Sequence, residues 1–118
     1  MNKLEFTISE VLFELGVPSK LMGFEYLEEA IKLCYEDKSR LHHITKKLYP
    51  DIAQIKKTKS SRVERAIRFA IERAWENMTY EKKKEFFGSL SKADHIKNSY
   101  FISEIIRVLK AREYHNDD

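Results

Sequence analysis

Between Val63 and Trp75 the apolar residues step by three and four without a miss: Val63, Ala66, Ile67, Ala70, Ile71, Ala74 and Trp75. That period places them all on one side of an α-helix, whereas a strand would need strict alternation. Just ahead, Ser61-Arg62-Val63-Glu64 has the form of a capping box, so a helix is predicted over residues 61–76. Its alanines let the backbone sit close to a supporting element. The opposite face presents Arg62, Glu64, Arg65, Arg68, Phe69, Glu72 and Arg73.

The rest of the chain keeps the same helical spacing. Thr7-Ile8-Ser9-Glu10 reads as another capping box, followed by a stripe of Ile8, Val11, Leu12 and Leu15 that Gly16 and Pro18 end. A second helix is predicted over residues 24–36, with Leu27, Ala30, Ile31 and Cys34 inward. A third uses Leu41, Ile44 and Leu48 and stops before Pro50, because proline disfavours helical geometry in the residue ahead of it. Pro50 suits the first turn of a short helix over residues 50–57 that packs Ile52 and Ala53. Lys57-Thr58-Lys59-Ser60 then forms a tight polar turn. Residues 80–87 make a weaker helix ended by Gly88, and a polar loop runs to about Asn98. The last helix packs Phe101 or Ile102 with Ile105, Ile106 and Leu109, and the tail from residue 114 to 118 is expected to fray. The expectation is one all-α domain of six helices, folded over residues 7–112. Tyr26, Tyr35, Tyr49 and Trp75 fall on apolar stripes and are expected to pack rather than stack on bases.

Composition excludes several classes. A chain of 118 residues has room for one core, and 3 Gly with 2 Pro support neither hairpins nor linkers. No apolar run approaches the roughly 20 residues of a membrane span, and the first residues lack the apolar segment of a secretory signal. A single cysteine, Cys34, forms no internal disulfide, so a reduced, cytoplasmic setting is expected. His42 and His43 are adjacent and point about 100° apart on a helix, while His95 and His115 fall in a loop and the tail, so no metal is expected. There is no glycine-rich phosphate loop and no nucleophile, base and orienter in register. No cofactor and no enzymatic activity follow. Lys82-Lys83-Lys84 reads as a solvated face.

Charge is segregated. Residues 1–37 hold 3 basic and 8 acidic side chains, residues 38–73 hold 11 and 3, and residues 74–118 hold 8 of each. The middle third therefore suits a polyanion. Within it, two short helices joined by a polar turn, the second carrying arginines outward, form the pattern of a helix-turn-helix. Arg62 and Arg65 lie one turn apart at the end such a helix directs at base edges. Arginine grips guanine O6 and N7 with two hydrogen bonds, glutamate accepts from cytosine N4, and each bidentate pair discriminates bases by roughly 1–3 kcal/mol. Lys57, Lys59, Ser60 and Ser61, with Lys56 nearby, offer cations and free N–H groups to DNA phosphates. Arg68 can instead pair with Glu72 along its own helix, and Glu64 can serve only the cap.

Leu15-Gly16-Val17-Pro18, residues 23–30, Ile44-Thr45-Lys46-Lys47-Leu48-Tyr49-Pro50-Asp51-Ile52-Ala53, and above all Ser61-Arg62-Val63-Glu64-Arg65-Ala66-Ile67-Arg68 carry a specific resemblance. With Ala70-Ile71-Glu72, Ala74-Trp75 and Phe87-Gly88, the chain resembles the C-terminal DNA-binding effector domain of the stage-zero sporulation master response regulator family over residues 8–112. The resemblance implies a six-helix fold and binding to double-stranded DNA at boxes of the TGNCGAA type, often as a dimer or tandem domains. It implies base contacts from Arg62, Glu64, Arg65 and Arg68, cytoplasmic transcription regulation, and contact with a sigma subunit of RNA polymerase.

Three departures qualify the transfer. Phe69 stands where the family has histidine, so it either touches a thymine methyl as a base contact or packs on a neighbouring helix. Residues 77–97, where the family's sigma-contacting surface largely lies, diverge apart from Phe87-Gly88, and their loop is shorter. No receiver domain precedes residue 8, which fits an excised effector domain or, as expected here, a stand-alone paralogue without a phosphorylation switch. The exposed Phe69 and the altered segment also motivate an alternative: a protein-interaction module that antagonises a related regulator or a polymerase subunit, with DNA binding lost or secondary.

Overall fold

The computed structural model describes residues 1–116, with side chains through residue 115. Among these residues there is no strand. Six α-helices follow in order: α1 (Lys3–Glu14), α2 (Met22–Glu36), α3 (Tyr49–Ile55), α4 (Ser60–Asn77), α5 (Tyr80–Phe87) and α6 (Asn98–Asn116). Three short helical turns link them: a 3-10 turn at Lys38–His42, a π turn at Ile44–Leu48 that runs straight into α3, and a 3-10 turn at Gly88–Lys92.

The stripe on α4 is used as its spacing demands. Val63, Ile67, Ala70, Ile71, Ala74 and Trp75 are buried, and α2 lies across them with Leu27, Ala30, Ile31 and Cys34. The crossing is unusually close at Gly23. A β-carbon placed there would come within 2.2 Å of the Ala66 carbonyl oxygen and 2.7 Å of the Ala70 β-carbon. Gly23 is required for space, not for backbone freedom. Beneath this pair lie α1, through Ile8, Val11 and Leu12, and α6. Phe101 and Ile102 are both buried, because α6 packs against α1, α2, α4 and α5 at once. Phe87 joins the helices by stacking on Phe101 at 5.4 Å and meeting Trp75 edge-on at 5.2 Å. Each such side chain stabilises the fold by about 1.5–3 kcal/mol through removal from water.

Two helix ends share one device. Gly16 takes φ +80° after α1, donating to Phe13 O at 3.0 Å while Val17 donates to Leu12 O at 3.0 Å. The end of α3 repeats this with Lys57 at φ +56°. Lys57 donates to Gln54 O at 3.4 Å and Thr58 to Ala53 O at 2.9 Å. Both are Schellman closures, and a left-handed residue is what they need. Glycine meets that need without steric cost, whereas lysine does not.

The sequence reading departs from the structure at several boundaries. The cap of α1 is Asn2, not Thr7: Asn2 Oδ1 accepts from the Glu5 N–H at 2.8 Å and the Glu5 carboxylate accepts from the Asn2 N–H at 3.2 Å. Thr7 lies inside the helix, its hydroxyl donating to Lys3 O. The extra turn packs Leu4 on the core and so lengthens the apolar stripe. The third predicted helix is a 3-10 turn followed by a π turn. Pro50 has no N–H for the carbonyl four residues back, and the widened turn falls just there. At the other end, α6 continues through Tyr114 and His115, where fraying was expected, and residues 117–118 lie outside the described residues.

Two stability predictions follow from these contacts. Gly23→Ala should lower unfolding free energy by about 3 kcal/mol, since the new carbon meets backbone rather than a movable side-chain tip. Urea titration that finds less than about 0.5 kcal/mol would remove the close crossing as a constraint. Lys57→Gly should do the opposite and raise stability by about 1 kcal/mol by relieving the left-handed lysine. An unchanged or lower midpoint would show that the turn carries no such strain.

Candidate nucleic-acid interface

The α3–turn–α4 unit follows from local chemistry. The Schellman closure ends with the Thr58 bond, Lys59 is already extended, and α4 begins at Ser60. The predicted helix over residues 61–76 is thus present but starts one residue early and ends one later. Its N-cap is Lys59 and no side chain caps it, so Ser61 is not the capping residue. Without a side-chain acceptor, the first N–H groups of the helix stay open to an outside acceptor. Around this end Lys57, Lys59 and Ser61 are exposed and Ser60 is half-buried. Lys56 leans back to Glu29 of α2 at 3.9 Å, while no ion pair engages Lys57 or Lys59 among the described residues.

Glu64, released from the capping role, pairs along the helix instead. Its Oε1 accepts from Arg68 Nη1 at 2.7 Å, and Arg68 Nε lies 3.8 Å from Glu72. At about 100° per residue the exposed surface of α4 therefore splits into two lines. One is the Glu64–Arg68–Glu72 ladder. The other is Arg62, Arg65, Phe69 and Arg73.

On the second line, Arg62 and Arg65 are exposed, and among the described residues neither is held by a carboxylate. Phe69 is 49% exposed and lies outside the buried core. The Arg73 guanidinium lies 5.9 Å from its ring centroid, a contact that steadies an apolar ring in a charged row.

One neighbouring feature escaped the sequence reading. Between the ladder on α4 and the loop of residues 93–97 runs an open groove of about 660 Å³, with Thr45, Lys97 and Asn98 on its far wall. Hydrogen bonds fix the loop at both ends. Trp75 Nε1–H donates to Ala93 O at 2.9 Å, and Asn98 Nδ2 donates to the Tyr49 hydroxyl at 2.9 Å. Burial pushes the Tyr49 phenol above its ordinary pKa, against the opposing effect of the Asn98 bond, so it stays neutral. The signal was available: a buried Tyr or Trp needs a partner for its polar atom, and residues 93–98 hold both partners.

Elsewhere the chemistry is quiet. Burial pushes the Cys34 thiol up to about 11, which leaves it protonated and unreactive. Lys82 is engaged by Glu14 at 2.7 Å, and Lys83 sits 4.7 Å from the Trp75 ring centroid. The Lys82-Lys83-Lys84 run is thus partly tied to the fold rather than wholly solvated.

Helix order, the α2–α4 crossing and the arginine line all lie within one stretch of sequence similarity. The family described as Sporulation initiation factor Spo0A C terminal matches residues 8–109, from α1 into α6. With so much of its length matched, including every helix that supports or presents this surface, the chain belongs to that family of DNA-binding sporulation effector domains.

Proposed function

We propose that α4 enters the major groove of duplex DNA and reads a short box of the TGNCGAA type to regulate transcription. The observation that carries this reading is the state of Arg62 and Arg65: exposed, unclaimed by carboxylates among the described residues, and on the first turns of α4. Lys57, Lys59, Ser60 and Ser61 hold phosphate at the uncapped helix start, where backbone N–H groups add to the cations. Lys57 in a left-handed conformation fits this role, because glycine there would relieve strain but lose a charge beside the backbone.

Glu64 and Arg68 enter differently from the free arginines. Their pair is exposed, and such pairs contribute about 0–1 kcal/mol, so either partner can exchange the other for a base edge at small cost. Phe69 extends the arginine line with the apolar face that a thymine methyl would meet. Nothing in the reading requires a cofactor or a reaction. Tandem copies on adjacent boxes, and a polymerase sigma subunit as partner, are extensions of this reading that rest on the family. The interaction-module alternative keeps Phe69 as its motive. Co-elution with a regulator without any duplex affinity would favour it.

Salt-titrated binding to box and scrambled duplexes tests the assignments. Arg65→Ala should cost about 1–3 kcal/mol on the box and relax preference at one base pair. Lys59→Ala should weaken both duplexes alike and reduce the salt slope by about 0.9. Equal affinity of the unmutated domain for both duplexes would sink box recognition. Replacing box thymines one at a time by deoxyuridine examines Phe69 separately. One position should weaken binding, and Phe69→Ala should be blind to it. A flat scan removes the methyl contact and leaves the arginine contacts standing.

A further inference from the structure

An α-helix with its side chains is about 10–12 Å across, close to the roughly 12 Å width of the major groove. A helix seated there has a phosphate ridge pressing on each flank. One flank of α4 is the Glu64–Arg68–Glu72 ladder, and the surface next to it is not convex but cut by the 660 Å³ groove. Its far wall belongs to other parts of the chain: Thr45 from the π turn and Lys97 from the loop of residues 93–97, both exposed.

We propose that this groove seats the phosphodiester backbone of one DNA strand, with the Lys97 ammonium and the Thr45 hydroxyl as the groups that hold it. The proposal rests on the reading of α4 as the base-reading helix and adds a second phosphate site, separate from the one at residues 57–61.

Three observations carry it. The groove is continuous with the α4 surface, so a strand flanking the helix has to pass over it. In the unbound domain Arg68 lies between its two carboxylates, which lowers the repulsion a phosphate would meet from Glu64 and Glu72; where Arg68 turns to a base edge, Lys97 alone offsets them. The loop side of the far wall is also tied to the helix-turn-helix. Ala93 is bound by Trp75 of α4 itself, and Asn98 by Tyr49 of α3. The loop is therefore tethered at each end to one helix of the helix-turn-helix, which keeps the backbone that carries Lys97 beside the flank of α4.

A protein partner at the same loop is the competing occupant. The groove favours the nucleic acid, because the wall facing its paired ladder supplies a hydroxyl and a lysine that no ion pair engages among the described residues.

Methylphosphonate linkages placed singly along a box duplex provide the test, with the unmutated domain, Lys97→Ala and Thr45→Val. Removing charge from one or two neighbouring phosphates, outside those sensitive to Lys59→Ala, should weaken the unmutated domain on the order of tenfold. Lys97→Ala should lose a similar factor on the natural duplex, become insensitive to those linkages, and show a salt slope lower by about 0.9. Thr45→Val should lose a smaller factor and stay coupled to the same linkages. Unchanged affinity and slope in Lys97→Ala, or a loss coupled to no phosphate, overturns the seat and leaves the loop to a protein partner. If that happens while box and scrambled duplexes are still distinguished, base reading by α4 survives alone. Absence of affinity for any duplex overturns both. A Lys97-coupled phosphate on box and scrambled duplexes alike upholds the seat and refutes box recognition. Because Lys97 is exposed, unfolding midpoints of its variant should match the unmutated domain, which separates a lost contact from a lost fold.

Discussion

The approach of α2 to α4 at Gly23 governs the rest of the structure. A contact this close cannot slide: shifting α4 by one residue along α2 would replace Ala66 with Arg65 or Ile67, and Ala70 with Phe69 or Ile71, against the glycine. The small residues therefore set the rotation of α4 about its own axis as well as its distance. Once that rotation is fixed, Val63, Ile67 and Ile71 must face the core, and the line of Arg62, Arg65, Phe69 and Arg73 must face away. The direction of the arginines is thus a consequence of packing on the other side of the helix, among small residues that do not themselves present charge.

The turn before α4 makes a second choice, at some expense in stability. A Schellman closure satisfies the end of α3 within a few residues and leaves Lys59 extended, so α4 starts without a capping side chain. An ordinary surface helix gains about 1 kcal/mol from such a cap. Here the capping gain is forgone next to Lys57 and Lys59, and one of those lysines is itself held left-handed. Local strain and open donors in the same short turn are hard to account for by folding alone. They are understandable where an anion completes the helix end.

What was legible in the sequence was whatever depends on period. The α4 stripe, the helical class and the outward arginines follow from spacing that tertiary structure had no reason to override. Caps were less legible. Ser61-Arg62-Val63-Glu64 satisfies the capping pattern, yet the geometry of the preceding turn begins the helix before Ser61, and Glu64 finds Arg68 instead. Leu41, Ile44 and Leu48 gave the side that faces inward but not the backbone type, since 3-10 and π turns serve the same three positions. Gly23 was visible only as part of a family resemblance, because the atoms it must avoid belong to Ala66 and Ala70, far along the chain. Loop 93–97 was the least legible. Its polar composition resembles any linker, and its anchors are two aromatic side chains that stripe analysis assigns wholly to the core.

Those anchors change how the exposed face of α4 is understood. Taken as a list of charges, the helix surface has arginines partly cancelled by glutamates, a weak polyanion site. Divided by geometry, the cancellation is confined to one flank, and on the neighbouring line no carboxylate among the described residues engages Arg62 or Arg65. The paired flank borders a groove whose other wall is fixed to the same two helices by the buried tips of Trp75 and Tyr49. Core aromatics thus do two things at once: their rings fill space behind α4, and their polar atoms set the position of a loop in front of it. Disturbing either ring moves both surfaces together, so the spacing between loop and helix is determined by the core that also determines the fold.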